Sequence, residues 1–315
     1  MFFYNVIEKR KKNLIRWAKK LEVPDFPMET SELENVKKLS IRYKGIEKLP
    51  KEIGFLTNLE EIDASYNNLG DIPWEFAQLK KLKYVDFSHN QFADIPGVVC
   101  KHTQLDAINF EGNLIKKISP VVANLINLKY LNIAFNEIVE LPSEIKFLAC
   151  LEILDIAGNK LVDFPSTFHK LPSLKKIIIW ENDFSGIPDQ LSKMSTLTDI
   201  ETEVNKERIN HLFIEAVRAD KLAEARKYFA LGADINYQWQ SYDNQQFSTP
   251  LFEARSIDMI SFLLDNGADV NVTRAVKKSE SFIFWDSEKI ETETFLTKKH
   301  PPEITKYLKS IGLIS

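Results

Sequence analysis

Residues 59–81 read LEEIDASYNNLGDIPWEFAQLKK, with apolar side chains at positions 1, 4, 6, 11 and 14 of the segment. An asparagine recurs at an unbroken interval of 23 residues, as Asn67, Asn90, Asn113, Asn136, Asn159, Asn182 and Asn205. A leucine at the first position keeps the same interval, as Leu59, Leu82, Leu105, Leu128, Leu151, Leu174 and Leu197. Such a fixed period predicts a solenoid in which each repeat is one supersecondary unit.

Each repeat predicts one short β-strand with one buried face. Positions 4 and 6, which are Ile62 and Ala64 in the quoted segment, alternate with polar neighbours, and a period of two is typical of a strand. Asn67 follows the strand, where its side chain can donate to and accept from loop backbone groups of successive repeats. The step to Pro73 then ends strand pairing and begins a return segment. We therefore interpret the asparagine column as architecture and not as a functional site.

This pattern resembles the leucine-rich repeat, whose core is L-x-x-L-x-L-x-x-N-x-L. The resemblance implies an α/β solenoid shaped as a horseshoe, with a parallel sheet on its concave side. We expect about eight repeats over residues 36–207, preceded by an amino-terminal helical cap over residues 1–35. The first repeat carries Lys44 in place of the asparagine, as suits the irregular end of a solenoid.

A different pattern occupies residues 208–315. Residues 211–236 read HLFIEAVRADKLAEARKYFALGADIN and residues 249–271 read TPLFEARSIDMISFLLDNGADVN. These segments resemble ankyrin repeats, in which paired short helices precede a Gly-Ala-Asp-x-Asn turn. The resemblance implies a short all-α array of about three units, the last of which, over residues 294–312, is degenerate.

Two long connections in this array, residues 237–248 and 272–293, are rich in aromatic side chains. These are Tyr237, Trp239, Tyr242, Phe247, Phe282, Phe284 and Trp285. Long loops with aromatic residues are candidate binding fingers, yet the same residues could complete the small core of a short array. The sequence leaves both interpretations open, and also whether the array binds a partner or only caps the solenoid.

The amino-terminal segment predicts a basic amphipathic helix over residues 6–21. Leu14, Trp17 and Ala18 share its apolar face, against seven lysine and arginine residues. We favour a helix that caps the exposed edge of the first strand. Contact of its basic face with an acidic membrane surface is the alternative.

Motifs for catalysis or metal binding are missing from the sequence. The two cysteines and five histidines show no spacing suited to a structural metal site, and no cofactor is expected. No phosphate loop, G-x-S-x-G, H-E-x-x-H or kinase signature occurs, so we do not expect an enzyme. Cys100 and Cys150 lie two repeats apart, about 10 Å at the usual strand spacing, and are predicted to be free thiols. His102 replaces an inward leucine and is interpreted as a tolerated, partly buried residue.

Side chains on the concave face are the candidate partner-binding residues, because the resemblance implies that this face binds. Those predicted to be exposed anchors are Tyr43, Tyr66, Tyr84, His89, Glu111, Tyr130, Phe135 and Trp180. At positions 5, 7 and 8 of the repeats seven carboxylates face a single cation, Arg42. The groove is therefore predicted to be negative and its protein partner to carry a basic surface.

Composition narrows the class of function further. The formal net charge of −4 does not indicate a nucleic-acid partner, and the amino terminus offers no apolar run of signal-peptide or membrane-span length. We expect a monomeric protein, cytoplasmic or exported without a cleavable signal peptide. Its predicted function is that of an interaction scaffold or adaptor, with a bacterial effector as one form. The alternative is a recognition subunit for an enzyme acting in trans, of ligase or phosphatase type.

Overall fold

The computed structural model describes residues 2–203, 206–240, 247–271, 273–277, 290–296 and 300–314. Contacts within the chain divide it into two units, residues 1–203 and residues 204–315. The first unit is the solenoid that the 23-residue period predicts.

Eight three-residue strands form one parallel sheet in chain order. They are β1 (Lys38–Ser40), β2 (Glu61–Asp63), β3 (Tyr84–Asp86), β4 (Ala107–Asn109), β5 (Tyr130–Asn132), β6 (Ile153–Asp155), β7 (Lys176–Ile178) and β8 (Asp199–Glu201). Equivalent positions of successive repeats pair, as Ile62 does with Val85. The predicted solenoid with a parallel sheet is confirmed.

Short helical segments return the chain to the next strand. Seven are 3-10 helices, at Thr30–Asn35, Lys51–Phe55, Trp74–Gln78, Val99–Lys101, Pro120–Asn124, Ser143–Phe147 and Phe168–Lys170, and one is the α-helix α2 (Asp189–Ser192). Pro50, Pro73 and Pro142 each stand directly before such a segment, where the missing N–H costs nothing to strand pairing. Apolar side chains of the strands and return segments form one continuous core.

The asparagine column is buried and bonds two successive repeats together. The side-chain amide of Asn136 donates to the carbonyl oxygens of Phe110, Ile133 and Ala134 at 2.9, 3.1 and 3.0 Å. Its side-chain oxygen accepts from the backbone N–H of Ile115 at 3.0 Å. Equivalent bonds are made by Asn67, Asn90, Asn113, Asn159 and Asn182. The architectural role predicted for this column is confirmed for these six residues, whereas Asn205 lies outside the described part of the chain.

Replacing Asn136 with alanine is expected to destabilise the protein by about 1 to 3 kcal/mol, because the buried N–H of Ile115 loses its acceptor and three buried carbonyl groups each lose one of their donors. Urea unfolding measures the change. Asn127→Ala is the control, since the exposed Asn127 makes a single side-chain bond, to the carbonyl of Thr103. Equal losses in the two variants would contradict the buried ladder.

The amino-terminal helix α1 (Phe2–Lys20) packs on the first repeats. Leu14 and Ala18 are fully buried, and Leu14 belongs to the core cluster of the solenoid. Ile15 and Trp17 are partly buried against the same cluster. The helix begins four residues before the predicted start, and its inner face covers the core, as the cap interpretation requires.

His102 lies fully inside the core, so its expected partial burial is wrong. Its ring meets Phe76 edge to face, with 5.3 Å between the ring centroids. Burial, with a smaller contribution from Lys80, lowers the pKa of His102 to about 4. The imidazole therefore replaces leucine as a neutral ring. Cys100 and Cys150 are both free thiols, as predicted.

His102→Leu is expected to stabilise the protein more at pH 5 than at pH 8. An unfolded histidine takes up a proton as pH falls below about 6.5, whereas folded His102 does so only near pH 4, so the parent protein loses stability across that window. The gap between variant and parent should widen by about 2 kcal/mol. Chemical unfolding at both pH values measures the gap, with His169→Leu as the control at a less buried site. A gap that is the same at both pH values would contradict this account.

The second unit combines paired helices with two β-hairpins. Its helices are α3 (Lys206–Arg218), α4 (Leu222–Ala230), α5 (Pro250–Glu253), α6 (Ile257–Asp265) and α7 (Pro302–Ser310). Its antiparallel hairpins join β9 (Trp239–Gln240) to β10 (Phe247–Ser248), and β11 (Thr273–Lys277) to β12 (Ile290–Thr294). Gly232 and Gly267 follow helices with φ of +93° and +88°, as suits the turn that ends a helix.

The expectation of an all-α array is therefore wrong. Residues 273–277 and 290–294 read TRAVK and IETET, and their threonine, valine and isoleucine residues favour strand over helix. The long connections that the sequence suggested as loops thus contain paired strands at their ends.

Trp239, from the first of these connections, packs inside the second unit. The Arg218 guanidinium lies over its ring at 3.9 Å from the centroid. Arg218 also pairs with Glu253, with 3.1 Å between Nε and Oε2, and with Glu215, with 3.5 Å between Nη1 and Oε1. Trp239 thus supports the core interpretation. The side chains of Tyr242, Phe247, Phe282, Phe284 and Trp285 lie outside the described part of the chain.

Candidate functional site

Side chains at position 5 of the repeats shape the exit from each strand. One carboxylate oxygen of Asp86 accepts from the N–H and the hydroxyl of Ser88 at 2.9 and 2.6 Å. Asp63, Asn109, Asn132 and Asp155 accept from the backbone N–H two residues later in the same way. These short polar residues form local turns, so their identity alone does not define a binding site.

Position 8 forms an aromatic ladder along the solenoid. Tyr43, Tyr66, His89 and Phe135 all have left-handed φ angles between +52° and +55°, a conformation that is uncommon outside glycine. The rings of Tyr43 and Tyr66 stack with centroids 4.7 Å apart, and those of Tyr66 and His89 at 4.1 Å. The rings of Tyr43, Tyr66 and His89 thus form a continuous stack across three successive repeats.

Two glycines at position 8 make room for this ladder. A Cβ on Gly112 would lie 2.5 Å from Nδ1 of His89, and a Cβ on Gly158 would lie 2.6 Å from Cδ1 of Phe135. Each ring therefore lies directly against the glycine of the following repeat. Trp180, two repeats beyond Phe135, meets that ring edge to face at 5.3 Å.

Most of the predicted anchors are therefore buried. The exposed fractions are 6% for Tyr66, 2% for His89, 7% for Glu111, 3% for Phe135 and 2% for Trp180. The expectation that these five are exposed is wrong, because neighbouring repeats cover the four rings and Glu111 accepts a hydrogen bond from the side-chain amide of Asn132 in the next repeat at 2.7 Å. Tyr43, Tyr84 and Tyr130 stay partly exposed. Whether any of the eight residues contacts a partner stays a prediction.

Gly112→Ala is expected to destabilise the protein by about 2 kcal/mol or more, because it combines left-handed strain with a clash against the buried ring of His89. Gly45→Ala is the matched control. Gly45 has nearly the same φ, +62° against +65°, but no atom lies within 4 Å of its would-be Cβ, so that variant should lose only about 1 kcal/mol. Thermal or urea unfolding compares the two, and equal losses would contradict the ring contact.

Tyr84 and Tyr130 stand on either side of a small residue on the outward-facing side of the parallel sheet. They occupy position 3 of their repeats, as the first residues of β3 and β5, and Ala107 of β4 pairs with both. Neighbouring strands lie about 4.8 Å apart, so the two tyrosines stand about 10 Å apart with only a methyl group between them. We call Tyr84, Ala107 and Tyr130 the tyrosine slot.

A carboxylate lies beside this slot. The Tyr84 hydroxyl donates to Oδ2 of Asp86 at 3.1 Å, and the side-chain amide of Asn109 donates to the same oxygen at 3.1 Å. Burial, and then the nearby Asp63 carboxylate, raise the pKa of Asp86. Burial and Asp86 likewise raise the pKa of Tyr84, so its hydroxyl stays a donor. A cation placed here would relieve the unfavourable burial of the charge on Asp86.

Sequence analysis missed a row of alternating charges at position 2. The row consists of Lys37, Glu60, Lys83, Asp106, Lys129, Glu152 and Lys175. Lys129 pairs with Asp106 at 2.9 Å and Lys175 with Glu152 at 2.8 Å, and Lys129 lowers the pKa of Asp106. The charge at this position changes sign from each repeat to the next, and this alternation could have identified the row from the sequence. Because the row is close to neutral, it adds little net charge to this face.

The described residues contain no group of three or more histidine, cysteine, aspartate or glutamate residues arranged to hold a metal ion. None of their helices combines the length and apolar character needed to cross a bilayer.

Comparison with known families shows that the chain carries leucine-rich repeats. A model described as a leucine-rich repeat region matches residues 113–227, and one described as leucine-rich repeats in two copies matches residues 57–100. Neither model describes ankyrin repeats. No curated protein matches the chain.

Solved structures of leucine-rich repeat proteins also match. The ectodomain of the plant membrane receptor kinase GASSHO1/SCHENGEN3 from Arabidopsis thaliana, in complex with CASPARIAN STRIP INTEGRITY FACTOR 2, is 33% identical over 50% of this chain and 19% of that chain, with a TM-score of 0.43. A plant peptide hormone receptor in complex with its ligand is 25% identical, over 51% and 30%, with a TM-score of 0.43. Internalin C2 from Listeria monocytogenes is 20% identical, over 56% and 84%, also at 0.43. The match spans less than a third of either plant receptor.

Proposed function

We propose that this chain is a protein-interaction module whose concave face binds a basic segment of a partner protein. The observation that carries the proposal is the tyrosine slot. Tyr84 and Tyr130 keep part of their rings accessible, whereas Tyr66, His89 and Phe135 are buried in the ladder. Accessible aromatic rings on a rigid sheet are the side chains that most often anchor an interface.

The chemistry of the slot favours an arginine or lysine side chain. A planar guanidinium between two rings needs about 7 Å, within the spacing of about 10 Å between the tyrosines, and it would gain cation–π attraction from both. Asp86 lies within reach of Tyr84 and would supply the opposite charge. Bidentate bonding to that carboxylate would favour arginine over lysine.

The size of the face is sufficient for a specific interface. Eight strands at a spacing of about 4.8 Å span about 34 Å. A segment lying along that length could cover roughly the 800 Å² per partner of a standard interface. The tyrosine slot lies in repeats three to five, near the middle, where anchoring residues are usually found.

In this proposal the protein acts by binding and not by catalysis, as a monomeric scaffold or adaptor, of which an effector is one form. It works in the cytoplasm, or after export without a cleavable signal peptide. A recognition subunit for a ligase or phosphatase acting in trans would use the same groove. Co-purification of a stable enzymatic activity would favour that alternative.

Selection from a random peptide display library tests the proposal. The parent protein should enrich peptides that contain arginine or lysine, and a synthetic peptide of the enriched sequence should bind in titration calorimetry. Tyr84→Ala combined with Tyr130→Ala should weaken that binding by a factor of 30 or more, about 2 kcal/mol or more. Both rings are partly exposed, so thermal stability should change little.

Phe147→Ala is the matched control, since it removes an exposed aromatic ring from a return segment. It should leave peptide binding unchanged. Enrichment of acidic or uncharged peptides, or equal binding by the double variant and the parent, would sink the proposal.

A further inference from the structure

The helix α1 has an outer face that the solenoid core does not use. Its exposed cations are Lys9, Lys12, Arg16, Lys19 and Lys20. Arg16 donates to the side chain of Asn13, and within the described ranges none of the five forms an ion pair. The inner face of the same helix is fixed, since Leu14 and Ala18 are fully buried.

The charge of this face is of one sign. The helix contains seven cations and one acid, Glu8, in a chain whose net charge is −4, so the rest of the chain is strongly acidic. Glu8 is partly buried and accepts a hydrogen bond from the hydroxyl of Thr30 at 2.7 Å. A row of positive charges on an otherwise acidic protein attracts anionic surfaces to the outer face of α1.

We infer that the outer face of α1 docks on an anionic lipid surface. Lys9 and Lys20 are eleven residues apart, about 17 Å along the helix, and the row between them is convex. A convex row of flexible cations makes a poor pocket for a shaped acidic partner, whereas a flat layer of lipid headgroups demands no such fit.

Because the inner face of α1 is buried, it cannot contribute to membrane binding. An amphipathic helix usually binds membranes through its apolar face, and that face of α1 is occupied by the core. Docking therefore depends on the cations, each of which strengthens binding to an anionic surface by roughly fivefold. The interaction should be weak at high salt and absent on neutral lipid. This membrane docking is independent of the partner binding proposed for the concave face.

Vesicle cosedimentation with the full chain tests this inference. The parent protein should pellet with phosphatidylserine-rich vesicles at low salt, and should not pellet with phosphatidylcholine vesicles or with the anionic vesicles at about 0.5 M salt. The triple variant Lys9→Gln, Lys12→Gln and Arg16→Gln should bind the anionic vesicles about a hundredfold more weakly.

The control carries Lys80→Gln, Lys101→Gln and Lys170→Gln, which remove the same charge from exposed positions on the return segments. It should bind like the parent. The inference is overturned if the parent fails to bind anionic vesicles at low salt, or if both triple variants lose binding equally. It is also overturned if a duplex DNA probe binds the parent while the vesicles do not, which would point to a nucleic acid.

Discussion

A buried asparagine amide that bonds backbone groups of two successive repeats is the constraint on which the solenoid depends. Asn136 joins a carbonyl of the preceding repeat, at Phe110, to two carbonyls of its own, and it also receives the N–H of Ile115 from the preceding repeat. No other uncharged side chain of this size offers both two donors and an acceptor. Insertion of one residue in a repeat would displace its asparagine and break these bonds.

This constraint aligns equivalent positions of successive repeats in columns, and each column then takes a single physical role. Positions 4 and 6 fill the core, position 9 bonds the repeats, and position 8 carries a left-handed residue. At position 8 the aromatic rings of Tyr66 and His89 stack, and Gly112 leaves room for the ring of His89. The columns at positions 2 and 3 keep side chains that are partly or fully exposed. Within them the combination of Tyr84 and Tyr130 around a small residue is specific to the middle repeats.

The sequence predicts the solenoid well because strand, turn and core signals all repeat with one period. The sequence does not predict the burial of the side chains at position 8. The hydrophobic pattern does not reveal the left-handed backbone that directs the rings of Tyr66 and Phe135 against neighbouring repeats. Gly112 and Gly158 could have indicated this burial, because glycine residues within an aromatic column suggest that the neighbouring rings occupy the space of a side chain. In the second unit the helix pairs were visible in the sequence. The sequence analysis does not predict strand β11, because it interprets residues 272–293 only as a long connection.

Amide hydrogen exchange tests the asparagine ladder most directly. Five of the N–H groups that donate to the ladder oxygens are those of Leu69, Phe92, Ile115, Ile138 and Leu161. Although they lie in loops, they should exchange as slowly as the N–H groups of the central strands, because both open only when neighbouring repeats separate. Exchange of these five groups at the rate of ordinary surface-loop amides would contradict the account.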